Sequence, residues 1–248
     1  MKFLSRLSVI SLFVLAIGFV QAQAPTKDNP AAKASPREGG WAKTHEKIKE
    51  TMDKGGVDVL FVGDSITAGW AGAGKKVWES DLKTWKPGNL GIGGDQTQHV
   101  LWRITEGKEI EKIDPKAIVL MIGTNNIGGH TAEQIADGVK AIVNEFKKQK
   151  PKAKILVLGV FPRSGKKMEA TATEAKADEL QPKVKAINEI ISKLDDGKTV
   201  KYLDIGKVFL DDKGNLPKKI MPDYLHLSGE GYAKWAAAIK EPVEKMVK

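Results

Sequence analysis

A serine, a histidine and an aspartate have the types and positions needed for nucleophilic catalysis. Ser65 follows closely on the apolar segment Val57–Val62, which is typical of a strand buried on both faces of a parallel sheet. Ligands bind at the carboxyl edge of such sheets, so a hydroxyl delivered there is a candidate nucleophile. The plainer interpretation is that Ser65 only caps the helix that follows, as Asp, Ser and Thr commonly do.

A serine needs a base, and the chain has four histidines. His226 lies in a short loop before the last predicted helix, with Asp223 three residues upstream. Asp223 can therefore hold Nδ1 of the ring and turn Nε2 towards a serine. An isolated Asp-x-x-His is more often an ordinary polar pair, but a strand-end serine in the same chain favours the catalytic interpretation. His45, His99 and His130 fit surface or structural roles.

Two further loops offer hydrogen-bond donors for an oxyanion. Gly94 lies in the turn Ile92–Asp95 after the second predicted strand, and Asn125 follows the third. Parallel strands point the same way, so Ser65, Gly94 and Asn125 are expected at one edge of the sheet. The N–H groups of Ser65 and Gly94 and the side-chain amide of Asn125 could then form an oxyanion hole, in which one donor is worth about 10² to 10³ in rate. Alone, Asn125 would be interpreted as a loop residue that caps a turn.

Predicted strands alternate with predicted helices along the chain. The strands are expected at Val57–Val62, up to Gly91, and at Lys116–Ile122, Lys154–Val160 and Val200–Ile205. The helices are expected at His45–Lys54, Gln96–Ile104, Thr131–Lys148, Glu174–Leu194 with a possible break at Pro182, and Gly229–Val247. This alternation predicts right-handed crossovers and an α/β fold, a three-layer αβα sandwich around a five-stranded parallel sheet.

The amino terminus is typical of an exported protein. Met1–Ala24 has a positively charged start, an apolar run and small residues at its end, which predicts a signal peptide. The apolar run Val9–Val20 is too short for a comfortable membrane anchor. Residues 25–40 are rich in Pro, Ala, Lys and Gly and are expected to be a flexible leader, followed by a single domain over 41–248. A periplasmic or secreted location follows from this interpretation.

Composition excludes several classes of protein. The chain of 248 residues has no cysteine, so it has neither disulfides nor a thiol-linked lipid anchor, and its stability must come from a core. The net charge is +9, but the lysines are scattered along predicted helices as solvated faces are. We therefore expect no nucleic acid partner. Nucleophilic catalysis by serine needs no metal and no organic cofactor, so neither is expected.

Two glycine-rich segments partly match nucleotide-binding motifs. Gly69–Lys76 has the Gly-x4-Gly-Lys spacing of a phosphate-binding loop, but Lys76 stands where Ser or Thr would bind magnesium, and Gly69 does not follow directly on the strand. Gly91–Gln96 lacks the third glycine of a dinucleotide fingerprint. Nucleotide binding is therefore disfavoured.

The chain has six tryptophans, and one of them is a candidate for substrate contact. Trp70 lies in a loop of small residues close to Ser65, where an indole could stack on a sugar. Trp78 and Trp102 are expected to pack in the core, which is also the plainer interpretation of Trp70.

The sequence resembles the SGNH, or GDSL-like, serine hydrolases. The resemblance rests on Gly-Asp-Ser, Gly94 in Gly-Gly-Asp, Gly-Thr-Asn-Asn and Asp-x-x-His, which occur in the family's order between about Asp58 and Trp235. Within the family, the sequence is similar to the brain-type platelet-activating-factor acetylhydrolase catalytic subunits. The segments that carry this similarity are NLGIGGDQTQHVLWRI, IGTNN, ILVLGVFPR and DYLHLSGEGYAKW. The Gly-x-Ser-x-Gly elbow of α/β-hydrolases is absent, so that fold is not indicated.

The resemblance implies a flavodoxin-like fold and a set of roles. Ile66 stands where the family pattern has Leu, a small apolar change. The implied roles are Ser65 as nucleophile, His226 as base, Asp223 as the residue that orients His226, and Ser65, Gly94 and Asn125 as the oxyanion hole.

The expected function is that of an exported serine esterase acting on short-chain, chiefly acetyl, esters of carbohydrate. Its partner would be a small-molecule or polysaccharide ester, with no stable membrane insertion after signal cleavage. The alternatives are a lysophospholipase or general short-chain carboxylesterase, and a non-catalytic polysaccharide-binding module on the same fold.

Overall fold

A central parallel sheet organises the molecule, as a computed structural model of residues 28–164, 174–175 and 181–248 shows. The strands are β1 (Val59–Gly63), β2 (Pro87–Gly91), β3 (Ala117–Met121), β4 (Lys154–Leu158), β5 (Glu174–Ala175), β6 (Val200–Leu203) and β7 (Leu216–Pro217). Five of them form the sheet in the order β2-β1-β3-β4-β6, and every neighbouring pair in it is parallel. The predicted five-stranded parallel sheet is confirmed.

Helices cover both faces of this sheet. They are α1 (Gly40–Met52), α2 (Ser65–Ala68), α3 (Lys75–Val77), α4 (Thr97–Ile104), α5 (Ala132–Gln149), α6 (Gln181–Ile191) and α7 (Gly229–Val247). Alternate residues of β1 belong to two cores: Leu60 and Val62 pack with α4, α5 and α6, whereas Val59 and Phe61 pack with α7. The three-layer αβα sandwich is therefore confirmed. Within the described ranges no helix is both long and apolar enough to cross a membrane.

Most helix boundaries agree with the sequence signals. Helix α5 begins after Thr131, whose side chain accepts from the N–H of Gln134 while the Gln134 side chain accepts from the N–H of Thr131. These two reciprocal hydrogen bonds form a capping box. Helix α7 spans the predicted residues, with Ser228 as its cap. Helix α1 begins at Gly40, five residues before the predicted start.

The prediction of a helix over Glu174–Leu194 is wrong for its first residues. Glu174–Ala175 forms β5, which pairs antiparallel with β7, and α6 begins only at Gln181. Pro182 lies in the first turn of α6, where its missing N–H removes no helical hydrogen bond. Proline therefore stands at the start of this helix and not at an interruption.

Residues 29–37, which we call the N-terminal strap, are packed against the domain. Ala31 is fully buried, and the Thr97 hydroxyl donates to its carbonyl oxygen at 2.6 Å. The buried Asn29 side chain donates to the carbonyl oxygen of Gln134 at 3.0 Å. Where it is described, the segment expected to be a flexible leader over 25–40 is thus a packed element, because its few apolar and amide groups find partners on α4 and α5. The predicted signal peptide lies outside the described residues.

A glycine at the end of β2 sets how closely the chain after Ser65 can approach the sheet. A Cβ built on Gly91 would lie 2.0 Å from the backbone nitrogen of Ala68 in α2. We expect Gly91→Ala to lower the free energy of unfolding by about 3 kcal/mol, since the clash is with backbone and not with a movable side chain. Urea denaturation measures this. The matched control is Gly128→Ala, which meets no atom within 4 Å; an equal loss in both variants would contradict the steric argument.

Candidate active site

The structure brings together the serine, histidine and aspartate singled out from the sequence. Ser65 is the first residue of α2, directly after β1, and its Oγ lies 2.9 Å from Nε2 of His226. Nδ1 of His226 lies 2.6 Å from Oδ2 of Asp223. Helix α7 helps to fix the serine, since the Tyr232 hydroxyl donates to the carbonyl oxygen of Ile66 at 2.6 Å. The contacts form the continuous chain that nucleophilic catalysis by serine requires.

The loop before α7 holds its own carboxylate in place. Oδ1 of Asp223 accepts from the backbone N–H groups of Leu225, at 3.1 Å, and His226, at 2.7 Å. Partial burial opposes ionisation of Asp223, but hydrogen bonds from the ring and backbone of His226 and from Leu225 outweigh it and lower the pKa of Asp223. The carboxylate is therefore charged at neutral pH and can stabilise a protonated imidazole.

The site is open to solvent. The side chain of His226 is 43% exposed and that of Asp223 is 55% exposed. Gly93 and Gly94, on the other side of Ser65, are also exposed. A large substrate can therefore reach the serine without prior opening of a cavity.

The candidate oxyanion donors meet at the same edge of the sheet. A Cβ built on Gly93 would lie 3.9 Å from Cβ of Ser65, so the turn formed by residues 93–95, the glycine turn, passes beside the serine. Gly94 has a φ of +77°, and its N–H has no acceptor in the part of the chain that is described. One amide hydrogen of Asn125 binds the carbonyl oxygen of Asp95 at 2.9 Å. The second amide hydrogen of Asn125 has no acceptor among the described residues and can bind a ligand.

The loop that carries Asn125 is tied to the start of α4. Its residues form a short 3-10 turn over Thr124–Asn126. The Gln96 side chain donates to the carbonyl oxygen of Asn125 at 2.8 Å, and the N–H of Thr97 donates to Oδ1 of Asn126 at 3.0 Å. The second and third donor loops are therefore held to each other and cannot move independently.

A buried carboxylate in the glycine turn was not singled out from the sequence. Asp95 is fully buried; it accepts from Nε1 of Trp41 at 2.7 Å and pairs with Nε of Arg103 at 2.9 Å. Arg37 of the N-terminal strap reaches the same carboxylate at 3.1 Å. Burial raises the pKa of Asp95, and the two arginines and Trp41 oppose that rise. The signal that could have revealed this cluster is Arg103 itself, a charged residue on the apolar face of a short helix.

The remaining histidines have other partners. His45 is buried, with Nδ1 2.7 Å from Oε1 of Glu109, which in turn pairs with Arg103. Nδ1 of His99 accepts from the N–H of Gln96, and burial, followed by the charges of Arg37 and Arg103, lowers the pKa of His99 to about 4. His130 is partly buried, with Nδ1 3.3 Å from a backbone carbonyl oxygen. The structural roles expected for these three histidines agree with these contacts.

The prediction that Trp70 is a candidate for substrate contact is wrong. Its side chain is fully buried, and its ring lies 4.6 Å from the ring of Tyr232 and 4.9 Å from that of Trp235. Trp78 and Trp102, which were expected in the core, are only partly buried. Small neighbours around an indole thus reflected close packing, because the glycines leave room for the ring.

The glycine-rich segment after Ser65 serves packing. Gly69–Ala71 forms a 3-10 turn, and a Cβ built on Gly74 would lie 2.8 Å from the side chains of both Trp70 and Tyr232. These glycines therefore admit aromatic rings and do not form a phosphate cradle. Within the described ranges, no three or more His, Cys, Asp or Glu side chains cluster so that they could hold a metal ion.

Comparison with known proteins identifies the class of the chain. The GDSL-like lipase/acylhydrolase family matches residues 61–234. The chain belongs to this family and is an ester hydrolase, which confirms the resemblance seen in the motifs. Human platelet-activating factor acetylhydrolase IB subunit alpha1 is 35% identical over 220 residues, covering 86% of this chain and 89% of the relative. The rat alpha2 subunit is 37% identical over 208 residues, covering 84% and 85%.

Solved structures share the fold. A GDSL-like lipase from Bacteroides thetaiotaomicron superposes with a TM-score of 0.62 at 20% identity, covering 82% of this chain and 97% of that one. A carbohydrate acetylesterase family member from Sinorhizobium meliloti gives a TM-score of 0.56 at 18% identity, covering 76% and 98%. At these identities the similarity establishes the fold alone.

Asp64, next to the serine, is a second buried carboxyl group. Its Oδ1 accepts from the N–H of Ile66 at 2.9 Å, whereas its Oδ2 is buried without a hydrogen-bond partner among the described residues. Burial raises the pKa of Asp64 to about 7, although the Ile66 hydrogen bond and the charges of His226 and Arg163 act against the rise. Asp64 is therefore largely protonated in mildly acidic solution.

This raised pKa predicts a pH dependence of stability. The folded pKa of Asp64 lies above that of the unfolded chain, so its contribution is present in full below about pH 4 and is lost as the pH rises towards 7. We expect the free energy of unfolding of the wild type, relative to Asp64→Asn, to fall over this range. Urea titrations at several pH values measure the difference, with Asp212→Asn, an exposed aspartate, as control. A difference that does not change with pH would contradict the prediction.

Proposed function

We propose that the chain is an exported serine esterase that removes short acyl groups, chiefly acetyl, from O-acetylated carbohydrate. The observation that carries the proposal is the chain of contacts from Asp223 through His226 to Oγ of Ser65, beside the glycine turn. The buried contacts around these residues hold them in place before any substrate arrives.

The geometry supports a two-step reaction. Oγ of Ser65 attacks the ester carbonyl carbon while Nε2 of His226 removes its proton, and Asp223 stabilises the imidazolium. The tetrahedral oxyanion accepts hydrogen bonds from the N–H groups of Ser65 and Gly94 and from the Asn125 amide. His226 then protonates the departing alcohol, and water activated by the same ring hydrolyses the acyl enzyme.

The acyl preference is inferred from the relatives. The proteins that are 35 to 37% identical over most of their length are named acetylhydrolases, and the similarity includes all the site segments. A short acyl group is therefore the first expectation for this chain as well.

We infer that the alcohol part of the ester belongs to a carbohydrate. The reasons are the predicted export of the enzyme and the open access to Ser65. The predicted signal peptide would bring the enzyme to polysaccharide outside the cytoplasm. The exposure of His226, Asp223 and the glycine turn leaves room for a polymer to lie across the serine. Trp70 is fully buried and therefore cannot contact such a polymer.

The name of the relatives favours one alternative. The relatives are named platelet-activating factor acetylhydrolases, and the resemblance to that branch makes a lysophospholipid, or short-chain esters in general, the second candidate substrate class. The non-catalytic module is disfavoured, because a binding protein has no need of an imidazole held 2.9 Å from a serine hydroxyl.

The nucleophile is tested by Ser65→Ala. We expect hydrolysis of p-nitrophenyl acetate to fall by about 10⁴-fold or more, with His226→Ala nearly as damaging because the two residues act as a unit. Initial rates and a thermal melt measure this, and the melt should not change. Ser80→Ala, on an exposed serine, is the matched control.

Two results would decide against the assignment. Wild-type turnover in Ser65→Ala would remove Ser65 as nucleophile. A fluorophosphonate probe should label the wild type at Ser65 and leave Ser65→Ala unlabelled; glycan binding without labelling would instead support the non-catalytic module.

The substrate class is tested by a panel of esters. We expect activity on p-nitrophenyl esters to fall from acetyl to octanoyl, and acetate to be released from acetylated xylan. Chain-length kinetics and an acetate assay measure both. Preference for octanoyl would rule out the carbohydrate deacetylase, whereas acetate release from an acetylated phospholipid and none from glycans would support the lipid alternative.

A further inference from the structure

Asp95 of the glycine turn is held by guanidinium groups from two directions. Nε of Arg103, which is fully buried, lies 2.9 Å from one carboxylate oxygen. Nη1 of Arg37 lies 3.1 Å from the other, with Trp41 donating to the same oxygen at 2.7 Å. Arg103 acts from the core, whereas the side chain of Arg37 is 34% exposed and comes from the N-terminal strap.

Arg37 also binds the backbone on the other side of Gly94. Its Nη1 donates to the carbonyl oxygen of Gly93 at 2.8 Å as well as to Asp95. A Cβ built on Gly94 would lie 3.2 Å from Nη2, so the guanidinium group lies directly against that residue. Arg37 therefore binds both the residue before Gly94 and the residue after it, and the N–H of Gly94 is a candidate oxyanion donor.

The strap that delivers Arg37 is anchored to the helix that follows the glycine turn. The Thr97 hydroxyl donates to Ala31 at 2.6 Å, and the N–H of Ser35 donates to the carbonyl oxygen of Gln98 at 3.2 Å. Both acceptor and donor positions on α4 lie within four residues of Gly94. The path of the strap is thus fixed relative to the turn, and Arg37 reaches it from a defined position.

We propose that Arg37 is a positioning residue of the esterase, and that the N-terminal strap is part of its active site. Arg37 holds the peptide of Gly94 so that its N–H points to the place where the oxyanion forms. This inference rests on the proposed function, because only an acyl-transfer reaction needs such a donor.

The physical reason lies in the exposure of the glycine turn. Two consecutive exposed glycines have wide conformational freedom, so without a brace the Gly94 N–H would sample several orientations. A misdirected donor weakens transition-state stabilisation and leaves ground-state binding almost unchanged. The positive charge beside the turn adds a favourable interaction with the developing oxyanion, and Arg103 and Trp41 still hold Asp95 when Arg37 is removed.

Arg37→Ala is the informative variant, since Arg103 is fully buried and its replacement would impair folding. We expect kcat for p-nitrophenyl acetate to fall by about 10-fold to 100-fold, less than the loss of a whole donor, with KM nearly unchanged. Sub-denaturing guanidinium should restore part of the rate by occupying the vacated space. Arg37→Lys should retain an intermediate rate, because a single nitrogen makes both bonds in the wild type.

Lys43→Ala, which removes an exposed cation from α1, is the matched control and should keep the wild-type rate. The inference is overturned if kcat of Arg37→Ala equals that of the wild type, or if its loss follows a lower thermal melt and guanidinium does not rescue it. Ser65→Ala is assayed in parallel. If it loses activity, a failure of Arg37→Ala concerns the strap alone; if it keeps wild-type turnover, the proposed function and this inference both fall.

Discussion

The buried guanidinium of Arg103 is the interaction on which the geometry of the site depends. It pairs with Asp95 at 2.9 Å and Glu109 at 2.6 Å, and donates to the carbonyl oxygens of Leu90 at 2.8 Å and Gly63 at 3.3 Å. It therefore joins the ends of β1 and β2 to the glycine turn. Removing one partner of a buried charge pair costs about 3 to 5 kcal/mol, so these elements are held together strongly.

The site combines this buried support with an open reacting surface. The carboxyl groups of Asp64 and Asp95, which bind neighbouring backbone or side-chain groups, are fully buried. The side chains of His226 and Asp223 are about half exposed. The buried groups thus fix the position of Ser65, and the exposed groups leave it accessible to a substrate. An open site of this kind can accept a substrate that is much larger than the bond that is cut.

Much of the site could be predicted because its residues follow directly from strand order. Ser65, Gly94 and Asn125 each come after a parallel strand, and parallel strands end at one edge. Asp223 and His226 could be paired because only two loop residues lie between them. The sequence could not reveal that Arg37 lies against Gly94, since 56 residues separate it from Gly93, and no local spacing marks such a contact.

The predictions that failed concern segments whose burial or pairing depends on distant parts of the chain. Trp70 was assigned to substrate because small residues surround it, yet the rings that bury it come from α7, more than 160 residues later. Residues 25–40 have no apolar periodicity, and the strap packs through single groups such as Ala31. Glu174–Ala175 pairs with β7, another long-range contact that local composition does not reveal.

Local sequence patterns predicted the five strands of the parallel sheet, most of the helices and the chemical types of the candidate site residues. Apolar periodicity and chain direction are local properties, and they are sufficient for these conclusions. The folded structure was needed to reveal which tryptophans are buried, that the strap packs on the domain and which charges support the glycine turn. Those features depend on desolvation and on contacts between distant segments, which exist only once the chain has folded.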